Sequence, residues 1–292
     1  MNLSQFYRRA ISYGISLDPR KDKNAIKGYP DSAILHGTLD TRVQKIMVGI
    51  DIEAGELLLA EQIRRRQGLD LVIAHHPEGR AVALLAEVMQ LQVDILTSIG
   101  IKNSVAQRML DERKREVQRR LLPANHTRAI DVARILDLPF MCIHTPADNH
   151  VFRYIETLLK KENPVIVQDI LKILLAIPEY QGAQRNGAGP TVILGNPRRR
   201  VGKVLVDMTG GTGGSREVFD KLYATGIRTL VCMHLGEEHF KKAKDAHLNV
   251  VIAGHISSDT LGLNLLIDKI EQDSDESFQV VDCSGFTRIK RY

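Results

Sequence analysis

Three apolar runs in this 292-residue chain have the length of a β-strand, and each ends in histidine. Leu69-Asp70-Leu71-Val72-Ile73-Ala74 leads into His75-His76, and Pro139-Phe140-Met141-Cys142-Ile143 into His144. Asn249-Val250-Val251-Ile252-Ala253-Gly254 leads into His255. A carboxylate follows two of these histidines at the same interval: Asp148 lies four residues after His144, and Asp259 four residues after His255. Short continuous apolar runs suit buried strands. The carboxyl ends of strands in an α/β sheet are where sites are built. Imidazole with carboxylate is a ligand set for divalent transition metals, so the pattern restricts the fold and the chemistry together.

The segments between these runs support a sheet covered by helices. Val43 to Ile50 is strand-like and ends at Asp51, while Ala54 to Gln67 carries helix formers and stops at Gly68, the residue expected past a helix end. With the strand into His75 this completes a β-α-β unit, whose parallel pairing requires a right-handed crossover. Residues 3–13 read as an amphipathic helix, and residues 127–136 as another. The stretch 81–122 reads as two helices broken near Gly100-Ile101-Lys102-Asn103. The second half echoes the first. Strands over Lys203 to Asp207, Arg228 to Met233 and into His255 alternate with helices over about Arg216 to Thr225, Glu237 to Ala246 and Thr260 to Gln272. The alternation predicts an α/β fold of two similar units, residues 1–155 and 156–292, the first carrying a helical insertion at about 81–122.

Composition narrows the function. The 40 basic and 35 acidic side chains leave a net charge of only +5. The basic cluster Glu112 to Arg120 is mixed in sign and helical, so it reads as a solvated face, and Arg198-Arg199-Arg200 follows a turn signal. With no Trp and 5% aromatic residues the stacking platforms of single-strand binders are missing, and nucleic acid is not an expected partner. Cys142, Cys232 and Cys283 are too far apart for a disulfide framework or a zinc finger, and Cys142 is expected to be buried and inert. No segment approaches the roughly 18 apolar residues of a membrane span. The start of the chain has no basic region followed by an apolar stretch, so a cytoplasmic protein is expected.

At a strand end both His75 and His76 can turn toward one crevice, which suits two metals side by side with one ring to each. A carboxylate can bridge two cations, as a neutral imidazole cannot. Gly210-Gly211-Thr212-Gly213-Gly214-Ser215 precedes a helix, so its N–H groups could hold an anion, or the glycines could serve only close backbone packing. It lacks the Gly-Lys-Ser/Thr ending of a nucleotide P-loop. His239, beside His234 after a strand, is a candidate to approach the site, with capping or surface exposure as the alternative.

Asp51, the spacing to His75-His76-Pro77, His144-Thr145-Pro146-Ala147-Asp148, Gly210-Gly211-Thr212-Gly213 and Gly254-His255-Ile256-Ser257-Ser258-Asp259 together resemble the Ngg-interacting-factor-three-like family, also described as GTP cyclohydrolase type 2 homologues. The resemblance covers roughly residues 40–80 and 138–272, with the motifs in the same order. It implies two similar α/β units around a dinuclear metal centre, usually in a ring-shaped homohexamer. The implied ligands are His75, His76, Asp148, His255 and Asp259, with His144 at the edge of the site orienting a ligand or water. The metals would be two divalent ions among Zn, Fe, Mn, Co and Ni.

The chain also departs from the family pattern. Asp259 stands where the family has glutamate, so bridging two metals requires closer backbone. Glu78-Gly79-Arg80 replaces apolar residues after the histidines, Pro146-Ala147 replaces Asn-Leu, and the 81–122 block is longer than the usual connection. Leu84, Leu85, Val88 and Met89 of that block form apolar surface that must be covered. The expected function is a metal-dependent hydrolase acting on a nucleotide-like or phosphorylated small molecule. His144 and His239 are its candidate proton carriers. The alternative is a non-catalytic metal-binding scaffold that docks a protein partner. Either reading requires the five ligands to converge in one pocket.

Overall fold

A computed structural model describes residues 1–292. Strands β1 (Ala33–His36), β2 (Lys45–Gly49), β3 (Leu71–Ala74) and β4 (Phe140–Cys142) build one sheet. Strands β5 (Thr191–Leu194), β6 (Lys203–Asp207), β7 (Ile227–Cys232) and β8 (Asn249–Ile252) build a second, and β9 (Gln279–Cys283) returns to the first. The sheet orders are β1-β4-β3-β2-β9 and β5-β8-β7-β6, so apart from β9 they are the same. In each sheet the first strand is an antiparallel edge with an irregular register, and the next three strands are parallel. The two α/β units expected from the alternation are present as a topological repeat.

The repeat extends to the residues that carry chemistry. β4 runs through His144 into the helix Thr145–Glu162, and β8 runs through Gly254 into the helix His255–Ser274. The common His-x-x-x-Asp interval is therefore one helical turn at the start of equivalent helices. The second helix begins earlier than the expected Thr260, because Gly254 turns the chain at φ 110°, which a side chain resists.

These two helices lie between the sheets. Leu263, Leu266, Ile267 and Ile270 share a core with Val48, Leu71, Ile73 and Met141 of the first sheet. Val151, Phe152, Ile155 and Leu159 share another with Val206, Val231 and Val251 of the second. The helices Ala54–Gln67 and Arg128–Leu136 cover the other face of the first sheet through Leu57, Ala60, Ala129 and Ala133. Both faces of each sheet are thus buried, which is why the strands read as unbroken apolar runs. The expected boundary at residue 155 falls inside the helix Thr145–Glu162, and the chain end returns to the first sheet as β9. No helix is long and apolar enough to cross a membrane.

The insertion comprises the helices Arg80–Ala83, Leu85–Val88, Gln90–Ser98 and Asn103–Leu121, broken at Gly100 as expected and more finely divided before it. It leaves the first unit in sequence but packs on the second. Ala86, Met89, Val93, Ala106, Leu110 and Val117 join Phe219, Leu222 and Leu230 in one core. Val88 and Met89 are buried and Leu84 is 45% exposed, so much of the apolar surface expected to need a cover finds it within the chain.

The central helices meet at their backbones. A Cβ on Gly262 would lie 2.5 Å from the Ala147 carbonyl oxygen, and one on Gly14 of the helix Leu3–Leu17 would lie 2.7 Å from Pro146 Cα. The small Ala147 and the Pro146 turn fit these contacts. Gly262→Ala should therefore lower the unfolding free energy by about 1–3 kcal/mol through overpacking. Gly55→Ala, in open helix surface, should not lower it. Urea unfolding of both variants against wild type measures the difference.

Candidate metal centre

The strand ends and the two helix starts bring the expected residues to one point. His75 Nε2 lies 3.3 Å from Asp148 Oδ1 and 3.5 Å from Asp259 Oδ1. The other Asp259 oxygen, Oδ2, lies 3.5 Å from His76 Nε2 and 3.5 Å from His255 Nε2. The His76 and His255 rings are 5.1 Å apart between centroids, across about 180 residues of sequence. His144 Nε2 stands 3.8 Å from Asp148 Oδ2. Asp259 is thus shared, one oxygen toward His75 and the other toward His76 and His255.

His75 Nε2, Asp148 Oδ1 and both Asp259 oxygens are buried and make no hydrogen bond. They are close but not aligned as donor and acceptor. Ligand atoms at bond lengths of about 2.0–2.1 Å around tetrahedral zinc stand roughly 3.3 Å apart, which is the spacing seen here. Buried polar atoms left without partners cost free energy, and bound cations would satisfy all four. Two overlapping groups could hold one: His75 with His76 and Asp259, and His75 with His144 and Asp148.

The far nitrogen of three rings is already committed. His75 Nδ1 is 3.1 Å from the Ile143 carbonyl oxygen, which can only accept, so Nδ1 carries the proton and Nε2 is left to the cluster. His76 Nδ1 is 2.6 Å from Asp51 Oδ1, and His144 Nδ1 is 2.8 Å from Asp31 Oδ2. Asp31 is fully buried and also accepts from Thr145 Oγ1 at 2.6 Å. Such outer partners fix ring orientation and raise ligand basicity.

Charge follows from the same geometry. Burial alone would lower the pKa of His75, but the Asp259 and Asp148 carboxylates override it and push it up to about 10. Burial likewise opposes charge on His144, and Asp148 with Asp31 reverses the effect, leaving its pKa raised. For Asp259 burial disfavours ionisation, yet the facing histidines hold its carboxyl well below the usual range. His255 is lowered, mainly by burial, and Asp259 only partly offsets this. The cluster is a place where carboxylates demand positive charge, whether protons or a metal supply it.

All five expected ligands converge here, and His144 sits among them rather than at the edge. His239 does not. Its Nε2 donates to the Gly214 carbonyl oxygen at 2.9 Å. Asp31 carries no signal in the sequence, since it lies in a polar stretch 113 residues from the histidine it holds. His234, to which the sequence assigns no role of its own, has its ring 4.8 Å from that of His255. It occupies the place after β7 that His76 occupies after β3.

A cleft of about 350 Å³ opens onto the cluster, with His144, Asp148, His255 and Asp259 on its wall. The glycine loop and the insertion form other parts of the wall, including Gln92, Arg113 and Arg120. Part of the mixed-sign helix that reads as a solvated face therefore lines a cavity. Arg113 and Arg120, two turns apart, lie on one side of their helix.

No protein-family model matches the chain, and no curated protein matches it. Solved structures do. A NIF3 superfamily protein from Sphaerobacter thermophilus is 27% identical, with a TM-score of 0.81 over 98% of this chain and 99% of that one. Reduced HcgD from Methanocaldococcus jannaschii is 15% identical with a TM-score of 0.59, over 97% of both chains. TTHA1606 from Thermus thermophilus is 14% identical with a TM-score of 0.53, over 97% of this chain and 98% of that one. The last two likenesses concern the fold alone.

If Asp259 serves two cations, Asp259→Ala should cut bound metal by more than half without unfolding the chain, whereas His75→Ala should weaken mainly one position. Elemental analysis with circular dichroism checks both, and full metal content in Asp259→Ala would remove it from the ligand set. A second expectation concerns pH. With a pKa of about 10, His75 is protonated at neutral pH, so a cation at Nε2 must displace a proton. Apparent Mn²⁺ affinity should rise by at least about tenfold per pH unit below that value, with one proton released from His75 and any held by His144 adding to it. Calorimetry in buffers of different ionisation enthalpy between pH 6 and 8.5 would count the protons, and a count of zero would contradict the displacement.

Proposed function

We propose that this chain, which is a divergent member of the NIF3 superfamily, holds two divalent cations and hydrolyses a nucleotide-like or phosphorylated small molecule. The observation that carries the reading is the set of four buried, unpartnered donor atoms on His75, Asp148 and Asp259. His75, His144 and Asp148 would hold one cation, His76 and His255 the other, and Asp259 would give one oxygen to each. When bound, such cations acidify water and polarise a carbonyl, imine or phosphoryl oxygen. Zn, Fe, Mn, Co and Ni all suit imidazole with carboxylate.

The chain's own residues do the rest. Ile143, Asp51 and Asp31 keep three rings turned so that Nε2 faces the cluster. The cleft supplies a partly enclosed space in which a substrate meets the cluster, and electrostatic interactions strengthen where protein and substrate displace water. His144, expected as a proton carrier, is better used as a ligand, since one nitrogen faces Asp148 and the other is held by Asp31. His239 remains beside the cleft with Nε2 bound to the glycine loop.

The test is a screen of purified protein loaded with Mn²⁺ or Zn²⁺ against nucleotides and phosphoesters. Turnover should appear with at least one compound, vanish on chelation, return on adding metal, and fall by at least about 100-fold in Asp259→Ala. A stable complex with a protein partner and no turnover on any compound would overturn the hydrolase reading in favour of a scaffold.

A further inference from the structure

The insertion is joined to the glycine loop by side-chain bonds that packing alone does not require. Gln92 Nε2 donates to the carbonyl oxygens of Gly210 at 2.8 Å and Thr212 at 2.6 Å. Arg113 Nε donates to the Gly213 carbonyl oxygen at 2.9 Å, and from the loop's other neighbour His239 takes the Gly214 carbonyl oxygen. Four polar contacts therefore occupy the loop's carbonyls, while the N–H groups of Gly211, Gly213 and Gly214 donate to no atom of the chain. Backbone N–H groups gathered in a glycine-rich turn attract anions.

Charge on the same wall points the same way. Arg113 is mostly buried and shares its charge with the exposed Glu116 at 2.8 Å. Arg120, two turns on, is exposed on the cleft wall and pairs with no acid. Asp148 and Asp259 are committed to the histidine cluster. The remaining carboxylate of the cleft, Asp207, is open to the cavity but walled in by protein, and loss of bulk water raises its pKa. His234 and His239 face it and partly offset that rise. Beside the histidine–carboxylate cluster, then, the cleft has one wall with two guanidinium groups and three glycine amides that donate to no atom of the chain.

We infer that this wall, built by the insertion and the glycine loop, is a subsite for a phosphoryl group, and that Arg113 and Arg120 determine which substrates enter. The inference rests on the proposed function for its substrate but not for its anion site. Guanidinium groups match tetrahedral oxyanions through paired N–H donors. A phosphate anchored there would leave the rest of a small molecule to reach the cluster, with the cleft of about 350 Å³ limiting its size. The insertion thereby acts in substrate selection as well as covering the second sheet.

The experiment separates this site from the cations, which would themselves bind phosphate. Inorganic phosphate is titrated calorimetrically, at low ionic strength, into full-length protein stripped with chelator and, independently, into Asp259→Ala. Saturable binding is expected in both, weakened at least tenfold by Arg120→Gln and reduced by added salt, with Arg200→Gln as an exposed control that leaves it unchanged. Arg120 is an exposed helical residue, so its variant keeps the fold, whereas Arg113→Gln also frees Gly213 and is checked by circular dichroism first. Absence of binding in the stripped protein, or wild-type affinity in both Arg120→Gln and Arg113→Gln, would overturn the subsite while leaving the metal reading intact. Displacement of phosphate by an equal concentration of acetate would overturn its assignment to a phosphoryl group.

Discussion

Everything in the candidate site depends on how closely the two central helices approach each other. Asp148 and Asp259 sit one turn inside the helices Thr145–Glu162 and His255–Ser274, and they share His75 only because those helices touch backbone to backbone at Ala147 and Gly262. Aspartate has the shorter reach of the two carboxylate side chains. The Gly262 contact supplies the nearness that the shorter side chain requires. The same contact joins the two sheet–helix layers, so stability and site geometry are set by one surface.

The electrostatic consequence is a buried pair of carboxylates with three oxygens that no hydrogen bond relieves. Burying an ionised carboxylate is expensive unless opposite charge or donors meet it. Without a cation the histidines take that role, which is why His75 holds its proton far above the usual imidazole range. A divalent ion does the same with more charge and no need for donor alignment. The outer partners Asp51, Asp31 and the Ile143 carbonyl make sense in both states, since each favours Nδ1–H and leaves Nε2 for the cluster.

Much of this is legible in the sequence because both faces of each sheet are covered, so buried strands appear as unbroken apolar runs ending in chemistry. The helix Ala54–Gln67 and the strand Lys203–Asp207 match their expected ends, where Gly68 and a charged residue punctuate the chain. Strands β1, β5 and β9 are not legible in the same way. They are only partly buried, and their short or mixed patterns do not separate from loops. The helix Thr145–Glu162 also escapes the sequence reading, although Pro146 near its start is a recognised opening signal. The ligands stand out because histidine after a strand is local information. Asp31 does not, because its partnership with His144 exists only after β1 pairs with β4.

The repeat explains why the site is lopsided. In both units the strand before the long helix delivers His-x-x-x-Asp, giving His144 with Asp148 and His255 with Asp259. The preceding strands have diverged. β3 leads into two histidines that reach the cluster, while β7 leads into Met233 and His234, and His234 packs against the His255 ring instead. A symmetric duplication would leave equal cradles on both sides and a mouth of the same shape over each. Here the first unit supplies most of the clustered side chains, and the second contributes more of the cleft. The insertion then crosses from the first unit to cover that second unit, joining the glycine loop through Gln92 and Arg113. The unit that gives fewer side chains to the cluster thus has a chemically distinct wall, so cluster and cleft are divided between the two units.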